Sequence, residues 1–194
     1  MSLFSRKTSE FDRTFDEGTK LAQSGKNNEA IAMLSRAVEM EDSRGEAFLV
    51  LGQLYDNIGQ KEKVIITYKK GIKAHPNFVD NYFDLAVIYG QQIPSIRKNL
   101  MNYPIGYLAE TIERAHEFFL KAAYLGDSES KNILSQQGIK ASKKDEFISE
   151  LTKIADKRLS RKNYEEGKSI YSFILFFDKN NKIALQGLKQ IGSF

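Results

Sequence analysis

Two histidines, His75 and His116, stand 41 residues apart, and the chain has no cysteine. That pair is too sparse for most imidazole metal sites or a Ser-His-Asp relay. Disulfides, thiolate zinc sites and cysteine nucleophiles are excluded together. Adjacent carboxylates occur at Asp145-Glu146 and Glu165-Glu166. Neighbours on a helix point apart, so neither pair suits a two-carboxylate acid–base site, and solvated turns account for both. No phosphate loop of the GxxxxGK type, no HExxH and no GxSxG is present. His75 precedes Pro76 at an expected helix end, where an imidazole complements the dipole. His116 lies beside Ala115, an expected packing residue. The residues therefore predict no catalytic set, no metal and no cofactor, and a chain that is not an enzyme.

The cations invite a different chemistry. Residues 1–90 carry 12 Lys+Arg and 13 Asp+Glu, whereas 91–194 carry 17 and 12, and the whole chain is +4. Lys140, Lys143, Lys144, Lys153, Lys157, Arg158, Arg161 and Lys162 supply much of the excess. A nucleic-acid patch over 140–162 is one reading. Asp145, Glu146, Glu150 and Asp156 interrupt it, and no aromatic interleaves for base stacking, so a solvated helix face is favoured. Self-association of an acidic half with a basic half is a third use.

These side chains must be positioned by something regular. Hydrophobic residues make up 41% of the 194, enough for a sizeable core, with 28% charged. No apolar run has signal-peptide or membrane-span length, which predicts a soluble, cytoplasmic chain with no membrane partner. A step of 34 residues recurs instead. It relates Thr14, Phe48 and Tyr82; Glu17, Leu51 and Leu85; Gly18, Gly52 and Ala86; and Leu21, Tyr55 and Tyr89. Gly25 and Gly59 follow as turn residues. Ala30 then matches Val64, Leu34 matches Tyr68, Ala37 matches Gly71, and Asp42 matches Pro76. Phe48, Leu51, Gly52 and Tyr55 form one helical stripe, and Val64, Tyr68 and Gly71 a second. Each unit reads as a helix hairpin with a small residue at each crossing, stacking on the next because it cannot cover its apolar face alone.

This pattern resembles the tetratricopeptide repeat family, whose large residues at positions 4, 7, 11 and 24 surround small ones at 8, 20 and 27. The second unit, 45–78, matches best, and the first, 11–44, departs at Thr14 and Glu17. The third, 79–126, opens with Tyr82, Leu85, Ala86 and Tyr89. Its next small residue is Ala115, so it holds an insert at about 91–107 containing Pro94 and Pro104. A short helix near 95–102 and a second helix starting near Pro104 are expected. The run from Lys121 to Leu134, with Ala122-Ala123 and a Gly126-Asp127 turn, resembles the longer Sel1-like repeat and implies a short helix at 128–137. A last hairpin at 148–181 has Leu151, Ile154, Ala155, Gly167, Tyr171 and Ile174 in family positions, with Arg158 where an aromatic is usual. A capping helix at 182–192 follows. The resemblance implies an all-α fold, a single right-handed α-solenoid of stacked antiparallel hairpins over 1–194.

In this family the first helices line a concave surface. By register that surface holds Asp12, Phe15 and Thr19; Glu46, Leu49 and Gln53; and Asp80, Phe83, Asp84 and Val87. The resemblance thus implies an apolar stripe, Phe15-Leu49-Phe83, bordered by carboxylates. A basic amphipathic protein or peptide segment fits it. The carboxyl tail of a heat-shock chaperone does not, since Phe15, Thr19, Val50, Asp80 and Asp84 stand where the clamp needs cations. Helix dipoles alone would also place acids there, with the apolar residues merely packing hairpins together. The leading reading is a non-catalytic protein-interaction adaptor. The alternatives are an assembly subunit, including a homo-oligomer, using the insert or the C-terminal helices, and an RNA-associated protein using 140–162.

Overall fold

The computed structural model describes residues 9–139 and 143–192. Lys140 of the basic segment lies outside them. Among the described residues the chain is all-α. The elements are α1 (Glu10–Gln23), α2 (Asn27–Val38), α3 (Gly45–Asn57), α4 (Lys61–Ala74), α5 (Val79–Lys98), a 3-10 turn (Leu100–Asn102), α6 (Tyr107–Tyr124), α7 (Ser128–Gln136), α8 (Lys144–Ser160), α9 (Tyr164–Phe177) and α10 (Lys182–Ile191). They form two compact units, Met1–Asn81 and Tyr82–Phe194.

In the first unit α1 packs on α2, α3 on α4, and α3 also on α2. Ser9 starts α1 with a reciprocal box: its hydroxyl accepts the Asp12 N–H at 3.0 Å, and the Asp12 carboxylate accepts the Ser9 N–H at 3.2 Å. Small residues sit at both hairpin crossings. A Cβ on Gly18 would lie 2.9 Å from Leu34 Cγ, and one on Gly52 would lie 2.2 Å from the Tyr68 ring. Those partners are 34 residues apart, as the period requires.

The turns repeat as faithfully. The Lys26 N–H bonds the Leu21 carbonyl at 3.0 Å, and the Gln60 N–H bonds the Tyr55 carbonyl at 2.9 Å. Gly25 and Gly59 both take φ +75 within those turns, where a side chain would be strained.

In the second unit α6 packs on α7 and α8, α8 on α9, and α10 on α9 and α8. Residues of α5 from Tyr82 onward join it through ring contacts, Phe83 to Phe119, Tyr89 to Phe118 and Tyr82 to Phe173. The last hairpin repeats the turn of the first two: Asn163 N–H bonds the Arg158 carbonyl at 2.9 Å. This places Arg158 at the level of Leu21 and Tyr55, as the register predicts. Lys162, φ 61, takes the left-handed place of Gly25 and Gly59. Gly187 of α10 crosses over Tyr171 of α9, its Cβ position 2.3 Å from the ring.

The segment around the prolines differs from expectation. No separate helix covers 95–102: α5 runs on through Pro94 to Lys98, and only the 3-10 turn follows. Proline in a helix interior crowds the carbonyl four residues back, and here that residue is Gly90, the most permissive backbone. The next helix begins at Tyr107 rather than Pro104, after Gly106 at φ 89. α8 begins at Lys144, earlier than the expected hairpin start at 148. α7 follows a Gly126-Asp127 turn, and the Asp127 carboxylate accepts the Ser130 N–H at 2.6 Å.

Candidate functional site

Within the first unit, α1 and α3 carry the predicted face. Phe15 is half-buried, stacked on buried Phe11 at 5.6 Å, and packed against the two buried clusters in which the first hairpin meets α3. Thr19 is half-buried and donates its hydroxyl to the Phe15 carbonyl at 2.8 Å. Asp12 is engaged twice, in the Ser9 box and with Arg44 at 2.8 Å. The Ser9 backbone N–H holds its carboxyl below the usual value, aided by the Ser9 hydroxyl and Arg44 against partial desolvation. Glu46 and Asp80 are exposed and make no ion pair among the described residues. Leu49 is half-buried, and Gln53 is exposed. In the second unit Phe83, Asp84 and Val87 are each half-buried, with Phe83 set edge-on to Phe119 at 6.1 Å.

The histidines do separate things. His75 ends α4, its ring tilted against Phe48 at 5.7 Å and its Nε2 3.5 Å from the Ser43 hydroxyl. His116 lines a depression of about 420 Å³ between α6 and α8, whose floor includes Ile112, Leu120, Ile139 and Ile154. Glu113 of α6 pairs with Lys157 of α8, and Glu150 pairs with Lys153 within α8, at 2.6 Å each. Among the described residues no group of three or more His, Asp or Glu is placed to hold a metal ion.

The strongest electrostatic feature was not expected. Glu113, Glu117 and Lys121 stand four apart on one stripe of α6 and are all buried. Glu117 pairs with Lys121 on its own helix and with Arg158 of α8 at 2.5 Å. Arg158, 4% exposed, also reaches Glu113 at 3.4 Å and Glu166 at 3.5 Å. Arg161 adds to Glu113 at 3.4 Å, and Arg114 to Glu166 at 3.0 Å. Aromatic faces close the cluster: Lys121 lies 5.1 Å from the Phe118 centroid and 5.3 Å from that of Phe173.

Burial by itself would raise Glu117, but Lys121 and Arg158 overcome it and hold the carboxyl below its ordinary value. Burial likewise opposes the charge on Arg158, and Glu117 and Glu166 outweigh it, so its pKa rises. Tyr82 is pushed up by burial and then by the nearby Glu117 charge. In the sequence, the i, i+4, i+8 charges on α6 and a cation at an aromatic repeat position were the available signals.

This cluster changes the standing of the basic segment. Lys153, Lys157, Arg158 and Arg161 are committed to carboxylates, and Arg158 is not on a solvated face. Lys144 lies over the Tyr124 ring at 5.0 Å, while Lys143 and Lys162 are exposed.

No family model matches the sequence. No curated protein matches it either. Among solved structures, a thermophilic TPR protein from Thermus thermophilus is similar at 15% identity and TM-score 0.49, over 95% of this chain and 98% of that one. PcrH, solved in complex with the chaperone binding region of PopB, is similar at 18% identity and TM-score 0.48, over 69% and 97%. The C-terminal part of a TPR repeat-containing protein from Cytophaga hutchinsonii is similar at 21% identity and TM-score 0.45, over 94% of this chain and 62% of that one. The tetratricopeptide-like character of this chain rests on its own repeated crossings and turns.

Proposed function

We propose that the protein is a non-catalytic interaction adaptor, and that the α1–α3 face receives a basic amphipathic segment of a partner protein. The observation that carries this reading is Glu46. It is an exposed, unpaired carboxylate one helical turn before the half-buried Leu49; on the neighbouring α1, Asp12 and Phe15 share that spacing, with Asp12 half-buried and held by Ser9 and Arg44. An apolar stripe beside carboxylates suits a helix whose apolar side packs down and whose Lys or Arg meet the acids. Gln53 and Thr19 extend the face, and α5 carries the register equivalents Asp80, Phe83, Asp84 and Val87. The rigid hairpins limit the ordering cost of binding. The decisive measurement is titration of a fluorescent Leu/Lys amphipathic peptide onto the protein. Glu46→Lys with Leu49→Ala should weaken binding by about tenfold or more, with helicity unchanged by circular dichroism. Unchanged affinity would reject the face.

A second reading, an assembly subunit, is favoured by the end formed by α9 and α10. Phe176, Ile183 and Leu185 are 50%, 53% and 42% exposed there. Sedimentation equilibrium should then show association that Phe176→Ser reduces.

A further inference from the structure

The connection between α5 and α6 exposes apolar side chains to an extent seen nowhere else among the described residues. Met101 is 98% exposed, Ile105 is 107% exposed, and Leu100 is 51% exposed. Behind them Tyr103 and Tyr107 stack at 5.1 Å, both half-buried. Arg97 and Lys98, in the last turn of α5, are exposed and make no ion pair among the described residues. Between Asp84 and Glu110 there is no carboxylate, in a chain with 25 of them.

From this order we propose that the 99–106 tip docks on an anionic lipid bilayer, holding the protein at the surface without spanning it. The side chains are graded as a bilayer interface is: aliphatic at the tip, a tyrosine pair at the neck, then cations beside the helix end. The missing carboxylates remove the repulsion that an anionic surface would otherwise meet. A convex tip also favours lipid over protein, because acyl chains close around side chains of any shape, whereas a folded partner needs a matching pit. The contact proposed is peripheral; among the described residues no helix is long and apolar enough to cross a membrane. Three aliphatic side chains and two cations give a reversible attachment.

The chain contains no tryptophan, so Ile105→Trp places a single reporter at the tip. Its emission should shift to the blue on phosphatidylcholine vesicles containing phosphatidylglycerol, and far less on phosphatidylcholine alone. In cosedimentation of the unlabelled chain, Met101→Asp with Ile105→Asp should lower vesicle binding by about a hundredfold or more. Arg97→Gln with Lys98→Gln should lower it by about tenfold or more and abolish the preference for the anionic lipid. Both variants alter exposed positions, and circular dichroism checks that each stays folded. An emission unmoved by either vesicle, or a double aspartate variant that sediments like the native chain, overturns the proposal. So does a blue shift that grows with protein concentration in vesicle-free buffer and is not increased by vesicles, because a second copy would then hold the tip.

Discussion

Leu21, Tyr55 and Arg158 occupy one structural position. In each case its carbonyl accepts the turn N–H five residues on, at 2.9 to 3.0 Å. In the first unit the position is filled by a half-buried leucine and a half-buried tyrosine, the latter with Lys63 over its ring at 5.2 Å. In the second unit a buried arginine fills it. The backbone is the same and the interior is not. Register is therefore held by turn geometry and by small residues at crossings, while the large residue between them is free to change class if a neighbouring helix brings opposite charge. Here α6 brings Glu113 and Glu117.

The largest expected effect follows from breaking that exchange. Glu117→Ala leaves Lys121 buried without its carboxylate, and should cost about 3–5 kcal/mol in urea unfolding. The exposed pair Arg36–Glu10 of the first unit supplies the contrast, and Glu10→Ala should cost about 1 kcal/mol or less. Replacing Glu117, Lys121 and Arg158 together by Met, Met and Leu should cost less than Glu117→Ala alone, because it removes the desolvation of all three with their attraction and leaves Glu113 to Lys157 and Arg161, and Glu166 to Arg114. A triple variant as unstable as the single one would mean that the cluster's geometry, and not its charge balance, holds α6 to α8.

Acid sharpens the same comparison. Glu117 titrates below its ordinary value of 4.5 when folded. A depressed carboxyl contributes stability that is complete above its unfolded pKa and is lost as pH falls through the folded one. Native protein should therefore lose stability as pH drops below about 4.5, and the triple variant should lose less, in parallel urea titrations across that range.

Crossings come next in size. Leucine at Gly52 would meet the Tyr68 ring, and overpacking there should cost about 1–3 kcal/mol by thermal or urea unfolding. A neutral result would detach the 34-residue period from the packing it is taken to reflect.

The sequence made the backbone legible where spacing alone dictates it. Gly18 against Leu34 and Gly52 against Tyr68 follow directly from small and large residues in register. So does the placing of Arg158, although its burial does not. A single arginine in a lysine-rich stretch looks solvated until the helix facing it is known, and its partner on that helix, Glu113 of α6, lies 45 residues earlier, with α7 in between. Pro94 misled for a related reason: proline signals a break locally, yet α5 continues through it. On the α1–α3 face the residue types were legible, but their competing attachments were not. Asp12 was identified by position, whereas its use in the Ser9 box and with Arg44 required the fold.

The smallest effect concerns the turn itself. Gly25 and Gly59 have φ +75 at the place where Lys162 has φ 61. Left-handed backbone costs an L side chain roughly 1–2 kcal/mol, while glycine gives back about 0.5–1 kcal/mol through the entropy of the unfolded chain. Lys162→Gly should then stabilise by no more than about 1.5 kcal/mol, and Gly59→Lys should destabilise by a similar amount. The Lys162 side chain is exposed, so the exchange removes no packing. Opposite signs at two positions of the same turn isolate backbone strain from every other difference between the units. Equal signs would show that the surroundings of Lys162, and not the left-handed turn, decide which residue it tolerates.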